Sequence, residues 1–298
     1  MSNPFTARRP WAAGLIAFFL GPFIGMLYLG RGRLALLFFA LGLVAAVILI
    51  AFLPQLIASG VTPDSMWLAE LPVTLAGTIY AVVLARRRDV RAALPWFSRW
   101  YTLLAFILVP PLLALGVRTF LYQPFNAPTA SMSPSVNPGD FFMVSKFAYT
   151  SQPPARGEIA AFYVPRKDAI YIKRIVGLPG ERIQMRGGLL FIDGKEVPRR
   201  RVEDFVETDM FDTVQHIAQY EETLPGGRRD RVLDRGTTVF DDTNVFVVPP
   251  DSYFVLGDNR DNSDDSRATI GFVTRKDLIG PIAYKYVSGG RWVWEKLD

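Results

Sequence analysis

No cysteine occurs among the 298 residues, and histidine occurs once, at His216. The first absence excludes disulfides and thiolate chemistry, and with them any reading of the redox compartment. The second leaves a histidine-based triad or a multi-histidine zinc site a single residue to be built on. Lysine is missing from residues 1–121, which hold ten arginines against three acids, Asp64, Glu70 and Asp89. Residues 122–298 hold 23 basic and 25 acidic side chains, so the formal charge of +5 is +7 in the first part offset by −2 in the second. The arginines of the first part flank apolar runs. The pI of about 9.4 therefore belongs with a membrane and is no sign of nucleic-acid binding, a polyanion-binding tail being the competing reading.

What is abundant is apolar sequence, half of the chain. Four runs, Trp11–Leu29, Leu34–Ile57, Trp67–Ala85 and Tyr101–Leu121, each approach the ~20 residues that cross ~30 Å of hydrocarbon. The pattern continues through four segments, so none reads as a cleaved leader. Arg86, Arg87, Arg88, Arg91 and Arg99 crowd one short loop, whereas Asp64 and Glu70 flank the preceding one. Positively charged short loops stay inside, which places 86–100 in the cytoplasm and sends everything after about residue 122 outside. Pro110-Pro111 is expected to kink the last span without abolishing it. The first run is interrupted by Gly21-Pro22, and a full crossing there would put Arg8 and Arg9 outside. Three crossings with a re-entrant hairpin and four full crossings both stay open.

From Phe125 the texture changes to short β-rich runs: Phe141–Val144, Glu158–Val164, Ala169–Val176, Leu189–Ile192, Val245–Val248 and Tyr253–Leu256. Turn signals separate them, among them Pro138-Gly139, Pro179-Gly180 and Asp193-Gly194. The expected organisation is an α-helical membrane domain over 1–121 with three or four transmembrane segments, then an all-β domain over 122–298. Residues 199–244, charged and turn-rich, read as an insertion or ribbon on that domain.

Three segments of the β region carry chemistry. The first runs from Gln123 to Asp140 and contains Ser131-Met132. Alone it is compatible with any exposed turn, since a serine needs an adjacent base to become a nucleophile. The second is Tyr171-Ile-Lys173-Arg-Ile-Val-Gly-Leu-Pro-Gly180, where apolar neighbours could bury a lysine and lower its pKa. A solvated strand lysine is the bland reading. The third is Gly257-Asp-Asn-Arg-Asp-Asn-Ser263-Asp-Asp-Ser-Arg267, followed by Gly271-Phe272-Val273. An acidic turn or a calcium-like loop competes there, but the terminal glutamate of an EF-hand is absent.

Taken together and in this order, the three segments resemble those of bacterial type I signal peptidases, membrane-anchored Ser/Lys proteases with an all-β catalytic domain. The resemblance implies Ser131 as nucleophile and Lys173 as general base. It implies Thr129 as an oxyanion donor, Ser263 as a hydrogen-bonding partner that orients Lys173, and Asp265 and Arg267 as support for Ser263. It also suggests an Asp258–Arg174 pair. Phe125, Ala127, Pro128, Met132, Phe142, Ala161 and Ile172 become candidate substrate-binding residues. Two departures stand out. Thr129 occupies a position usually held by serine, and keeps the hydroxyl with a more restricted rotamer. Ala268-Thr-Ile270 is one residue longer than in the best-known members, which bears on loop shape and not on the dyad.

The implied function is removal of signal peptides from exported preproteins after small residues, without metal or cofactor. The implied place is the bacterial inner membrane, multi-pass, with the catalytic domain periplasmic and functionally linked to the secretion machinery. Preprotein signal peptides and the lipid bilayer are the implied partners, and nucleic acid is not. Two other readings compete: a processing protease dedicated to one partner, and a non-catalytic membrane adaptor, whose mark would be loss of Ser131 or Lys173. A penicillin-binding enzyme is excluded, because its Ser-x-x-Lys pair lies on one helix. Trp292 and Trp294 are two apart and would share a strand face, either at the lipid interface, with part of the set Phe141, Phe142, Phe147 and Tyr149, or in the core.

Overall fold

The computed structural model describes residues 9–58, 71–86, 95–208 and 213–297. Arg8, Asp64, Trp67, Glu70, Arg87, Arg88, Asp89 and Arg91, used above to orient the chain, lie outside them. The chain divides into two compact units, Met1–Gly116 and Val117–Asp298.

The first unit is helical: α1 Pro10–Phe19, α2 Pro22–Tyr28, α3 Gly32–Ala58, α4 Leu71–Arg86 and α5 Trp100–Gly116. Gly21 has φ 90°, a conformation glycine adopts without strain, and Pro22 follows at the start of α2. The first apolar run therefore breaks. At 1.5 Å per residue α1 and α2 reach only roughly 15 Å and 10 Å, too short to cross singly. Neither helix is a full span by itself, and Ala13, Ala17, Ile24, Met26 and Leu27 turn inward and pack with Ala35 and Ala81. Among the described residues two helices are long and apolar enough to cross a bilayer. They are Gly32–Phe52, with mean hydropathy 3.0, and Trp100–Leu121, with 2.0. The second continues through Pro110 and Pro111 and ends in a π-helical turn, Val117–Leu121.

The second unit is β-rich. Its strands are β1 Tyr122–Asn126, β2 Phe141–Ser145, β3 Ile159–Val164, β4 Ala169–Gly177, β5 Arg182–Arg186, β6 Leu189–Ile192, β7 Lys195–Glu196 and β8 Arg199–Arg201. They continue with β9 Phe205–Thr208, β10 Val214–Thr223, β11 Arg229–Asp234, β12 Phe246–Val247, β13 Ser252–Leu256, β14 Val273–Thr274, β15 Leu278–Ser288 and β16 Arg291–Glu295. The main sheet runs β1-β2-β15-β3-β4-β13-β14, with β16 on β15. A small sheet, β12-β5-β6-β7, closes one core through Ile183, Met185, Leu190, Phe254 and Leu256. Strands β8 to β11 form a sheet of their own, in the order β11-β10-β8 with β9 also on β10, and these four strands pair antiparallel. His216 lies in that sheet, opposite Val206.

Alternation along β16 puts Trp292 and Trp294 on one face, stacked at 5.8 Å and 10°. Tyr286 sits 6.0 Å from Trp292, and Phe141 sits 6.2 Å from Tyr286. Trp294 is 69% exposed, so the core alternative does not hold for it.

Candidate active site

Ser131 stands on the loop between β1 and β2. That loop is closed by paired backbone bonds, Ala127 N–H to Asp140 O at 2.9 Å and Gly139 N–H to Ala127 O at 2.8 Å. Lys173 is on β4, which pairs with β3 so that Lys173 faces Ala160. The ammonium of Lys173 donates to Ser131 Oγ at 2.7 Å across 42 residues of sequence. Lys173 is 2% exposed. Burial lowers its pKa from 10.5 to about 8, against the opposing pull of the Asp265, Asp258 and Asp264 carboxylates. A serine hydroxyl within reach of a lysine that can lose its proton near neutrality meets the geometric requirement for a nucleophile and its base. The Thr129 hydroxyl donates to Ser131 Oγ at 3.2 Å, so the threonine keeps its oxygen beside that of Ser131.

The signature loop, 257–267, walls the pair. Asp258 accepts two hydrogen bonds from Arg174, at 2.8 and 2.6 Å, which makes the suggested pair a buried bidentate one. Arg174 also donates to Gly157 O and Ser135 Oγ and pairs with Asp230. Asp265, fully buried, accepts from Arg267 at 2.8 and 3.0 Å and from the Gly257 N–H at 3.1 Å. A Cβ at residue 257 would lie 2.2 Å from Ser263 Oγ and 2.6 Å from the Ser131 carbonyl oxygen. Only glycine lets the loop close this tightly on Ser131. Residues 268–270 form a turn in which Asp264 accepts from the Thr269 N–H at 3.0 Å and from its hydroxyl.

Two expectations are corrected. Ser263 has no hydrogen bond to Lys173: its buried Oγ lacks a partner among the described residues, because it turns over Gly257 beside the Ser131 carbonyl. Asp265 and Arg267 accordingly fix each other and the Gly257 backbone, with no bond to Ser263.

A cleft of about 390 Å³ opens at the pair, lined by Phe125, Pro128, Thr129, Ser131, Phe142, Ile172 and Lys173. Asn126, Ala169, Ile170, Tyr171 and Asp264 also line it and were not singled out from sequence. The signal for three of them was at hand, since Ala169, Ile170 and Tyr171 lead directly along β4 to Lys173. Ala127, Met132 and Ala161 do not reach the cleft. They are buried with Val136, Val144, Ile159 and Ile282, where close packing leaves them no open face.

Comparison with known proteins bears on the same stretch. The profile of the family described as signal peptidase, peptidase S26, matches residues 99–287. Signal peptidase I of Rickettsia typhi is 30% identical over 211 residues, covering 61% of this chain and 78% of the relative. Signal peptidase I of Rickettsia conorii matches at the same identity and coverage. A solved signal peptidase I from Enterococcus faecalis V583, 30% identical, covers 44% of this chain and 97% of its own at a TM-score of 0.27, too low a superposition to argue fold from.

Proposed function

The chain belongs to the signal peptidase family, peptidase S26, as a type I signal peptidase and serine endopeptidase, and from that premise we propose that Ser131 is its nucleophile and Lys173 its general base. The observation that carries the assignment is the 2.7 Å contact between Ser131 Oγ and a buried Lys173. Neutral Lys173 takes the hydroxyl proton as Oγ attacks the carbonyl that ends the signal peptide. The Ser131 N–H and Thr129 hydroxyl hold the oxyanion. As the tetrahedral intermediate collapses, the Lys173 ammonium returns the proton to the leaving amine of the mature protein. Water, deprotonated by the same lysine, then attacks the acyl-enzyme and frees Ser131.

The preprotein lies extended in the cleft beside Phe125–Pro128 and Ile172, with small side chains ahead of the cut. The supporting feature is the cleft's apolar lining by Phe125, Phe142 and Ile172. The helical unit anchors the enzyme in the bacterial inner membrane with the β-rich unit periplasmic, where secreted preproteins emerge. Gly32–Phe52 and Trp100–Leu121 cross the bilayer, α4 makes a third crossing, and α1 and α2 form a re-entrant hairpin. The Phe141–Tyr286–Trp292–Trp294 ladder rests at the lipid interface, where aromatic rings are favoured.

Purified in detergent, the full chain is expected to cleave a preprotein after a small-x-small sequence, and Ser131→Ala is not. A reporter fused after residue 92 is expected in the cytoplasm and one fused after the C-terminus outside. Finding both on one side would remove the dyad from its substrates and overturn the arrangement. In vesicles of brominated lipid, replacing Trp292 and Trp294 by phenylalanine should lower the absolute tryptophan emission that the bromines quench and leave the unquenched remainder in place. An unchanged quenched emission, with the loss confined to the unquenched part, would take the ladder off the membrane.

A further inference from the structure

The two carbonyls that flank the nucleophile are both held by one residue. Asn259, fully buried, donates from its side-chain Nδ2 to Ala130 O at 3.1 Å and from its backbone N–H to Ser131 O at 3.2 Å. Ala130 O and the Ser131 N–H belong to the same peptide unit, and that unit is trans. In a planar trans peptide the C=O and N–H point in opposite directions. Ala130 O also accepts from the Ser133 N–H at 3.0 Å, and the two donors together fix the direction in which the Ser131 N–H points. That N–H has no acceptor among the described residues, so its direction is not set by a bond of its own.

The side-chain amide of Asn259 would serve only in one of its two orientations, since its oxygen turned toward Ala130 O would repel it. The choice is made from the ribbon. Arg235 Nε donates to Asn259 Oδ1 at 3.2 Å, and a guanidinium can only donate, so it selects the oxygen and leaves the NH2 for Ala130. Arg235 is itself held by Glu207 at 2.6 Å and by its backbone N–H to Asp261 at 2.6 Å. The adjoining backbone is laced to the signature loop through Leu233 N–H to Asp258 O and Arg260 N–H to Leu233 O.

We propose that Asn259 is a positioning residue for the oxyanion donor of Ser131, and that Arg235, contributed by the inserted ribbon, sets Asn259. The proposal rests on the reading that the Ser131 N–H receives the oxyanion. It gives residues 199–244 a part in the reaction: the ribbon reaches the nucleophile through one amide. Donation into Ala130 O also polarises that peptide and makes its N–H a better donor. Because full charge sits on the substrate oxygen only at and near the transition state, a misdirected donor lowers kcat and leaves KM.

The test uses the full chain in detergent. Asn259→Ala is expected to lower kcat about 10-fold or more, short of the ~100–1,000-fold seen when an oxyanion donor is removed outright. KM should stay within about twofold, and the midpoint of the pH–rate profile should stay in place, because Lys173 is untouched. Arg235→Met should lower kcat by a smaller factor, Arg235→Lys should recover part of it, and Asn259→Ala/Arg235→Met should be no slower than Asn259→Ala alone, since Arg235 acts through Asn259. An Asn259→Ala enzyme with unchanged kcat, a shifted pH midpoint, or a double variant in which both losses multiply overturns the proposal. Should Asn259→Ala not fold, the Arg235→Met and Arg235→Lys pair decides it alone, equal kcat in both and in the parent being the negative result. Cleavage that survives Ser131→Ala overturns the reading of the site and the proposal with it. A dead Ser131→Ala beside a fully active Asn259→Ala overturns the proposal only.

Discussion

Lys173→Arg and Ser131→Ala are each expected to bring preprotein cleavage to background, and cleavage by the parent enzyme is expected to rise with pH to a midpoint near that of Lys173, about 8. A lysine at its ordinary pKa of about 10.4 would be neutral in well under a hundredth of molecules at pH 8. The buried Lys173 is neutral in roughly half, which is the gain the site extracts from burying it. Below the midpoint the rate should fall about tenfold per pH unit as the base is lost. Arginine at 173 keeps its proton at any working pH, so restoring positive charge does not restore activity. His216→Ala should match the parent, because His216 sits in the ribbon sheet. The same burial costs stability. With its folded pKa lowered, Lys173 binds its proton less tightly in the folded than in the unfolded chain. The penalty is full below pH 8 and fades as pH rises from 8 toward 10.4. Lys173→Met should therefore be inactive yet melt higher at pH 7, by on the order of 3 kcal/mol, with the difference closing above pH 10. Preprotein cleavage by purified Ser131→Ala or Lys173→Arg protein, free of host peptidase, would refute the dyad. A pH midpoint near 10 would refute the buried base.

The parts of this molecule legible in sequence are those set by short-range pattern. The runs predicted at Phe141–Val144, Ala169–Val176 and Leu189–Ile192 are β2, β4 and β6 to within a residue or so, because alternation and flanking turns fix a strand locally. Ser131 and Lys173 were legible only as two of three motifs in a fixed order. Nothing local to either brings them together. The Asp258–Arg174 pair was suggested by the resemblance those motifs carry, and its bidentate contact is present. What stayed hidden depends on which face a side chain takes after the sheet closes. Ala127, Met132 and Ala161 have the small or flexible character of cleft residues and ended in the core. Ser263 carries a hydroxyl in the right motif but turns it over Gly257, away from any bond to Lys173. The Asn259–Ala130 contact spans 129 residues, and the Arg235–Asn259 contact joins a charged, turn-rich stretch to the signature loop. A tertiary hydrogen bond of that kind leaves no periodicity to read. The break at Gly21-Pro22 was visible, but whether it made a hairpin depended on the packing of α1 against α4, which no single segment encodes.

Asp265→Ala is expected to be the most destabilising single change in the β-rich unit. Asp265 is fully buried, and the Arg267 side chain that it grips is 1% exposed. Removing the carboxylate leaves a guanidinium in the interior with the Arg260 carbonyl still accepting from it and strips the Gly257 N–H of its acceptor. Breaking one side of such a pair costs about 3–5 kcal/mol, most of it the uncompensated charge. For a unit of this size each kcal/mol moves the melting temperature by about 2–4 °C, so the unfolding transition should fall by roughly 6–20 °C. Asp265→Ala/Arg267→Met removes both charges and should recover much of that loss, since an apolar side chain tolerates the same space. A second readout separates charge from packing. The Asp265 carboxylate raises the pKa of Lys173 against its burial, so whatever activity survives Asp265→Ala should show a pH midpoint shifted below 8. Asp265→Glu, which keeps the charge but strains the fit, should lose stability without that shift. A melting temperature within about 2 °C of the parent, or a midpoint that moves upward, would mean that the Asp265–Arg267 pair neither holds the signature loop nor sets the field at the lysine.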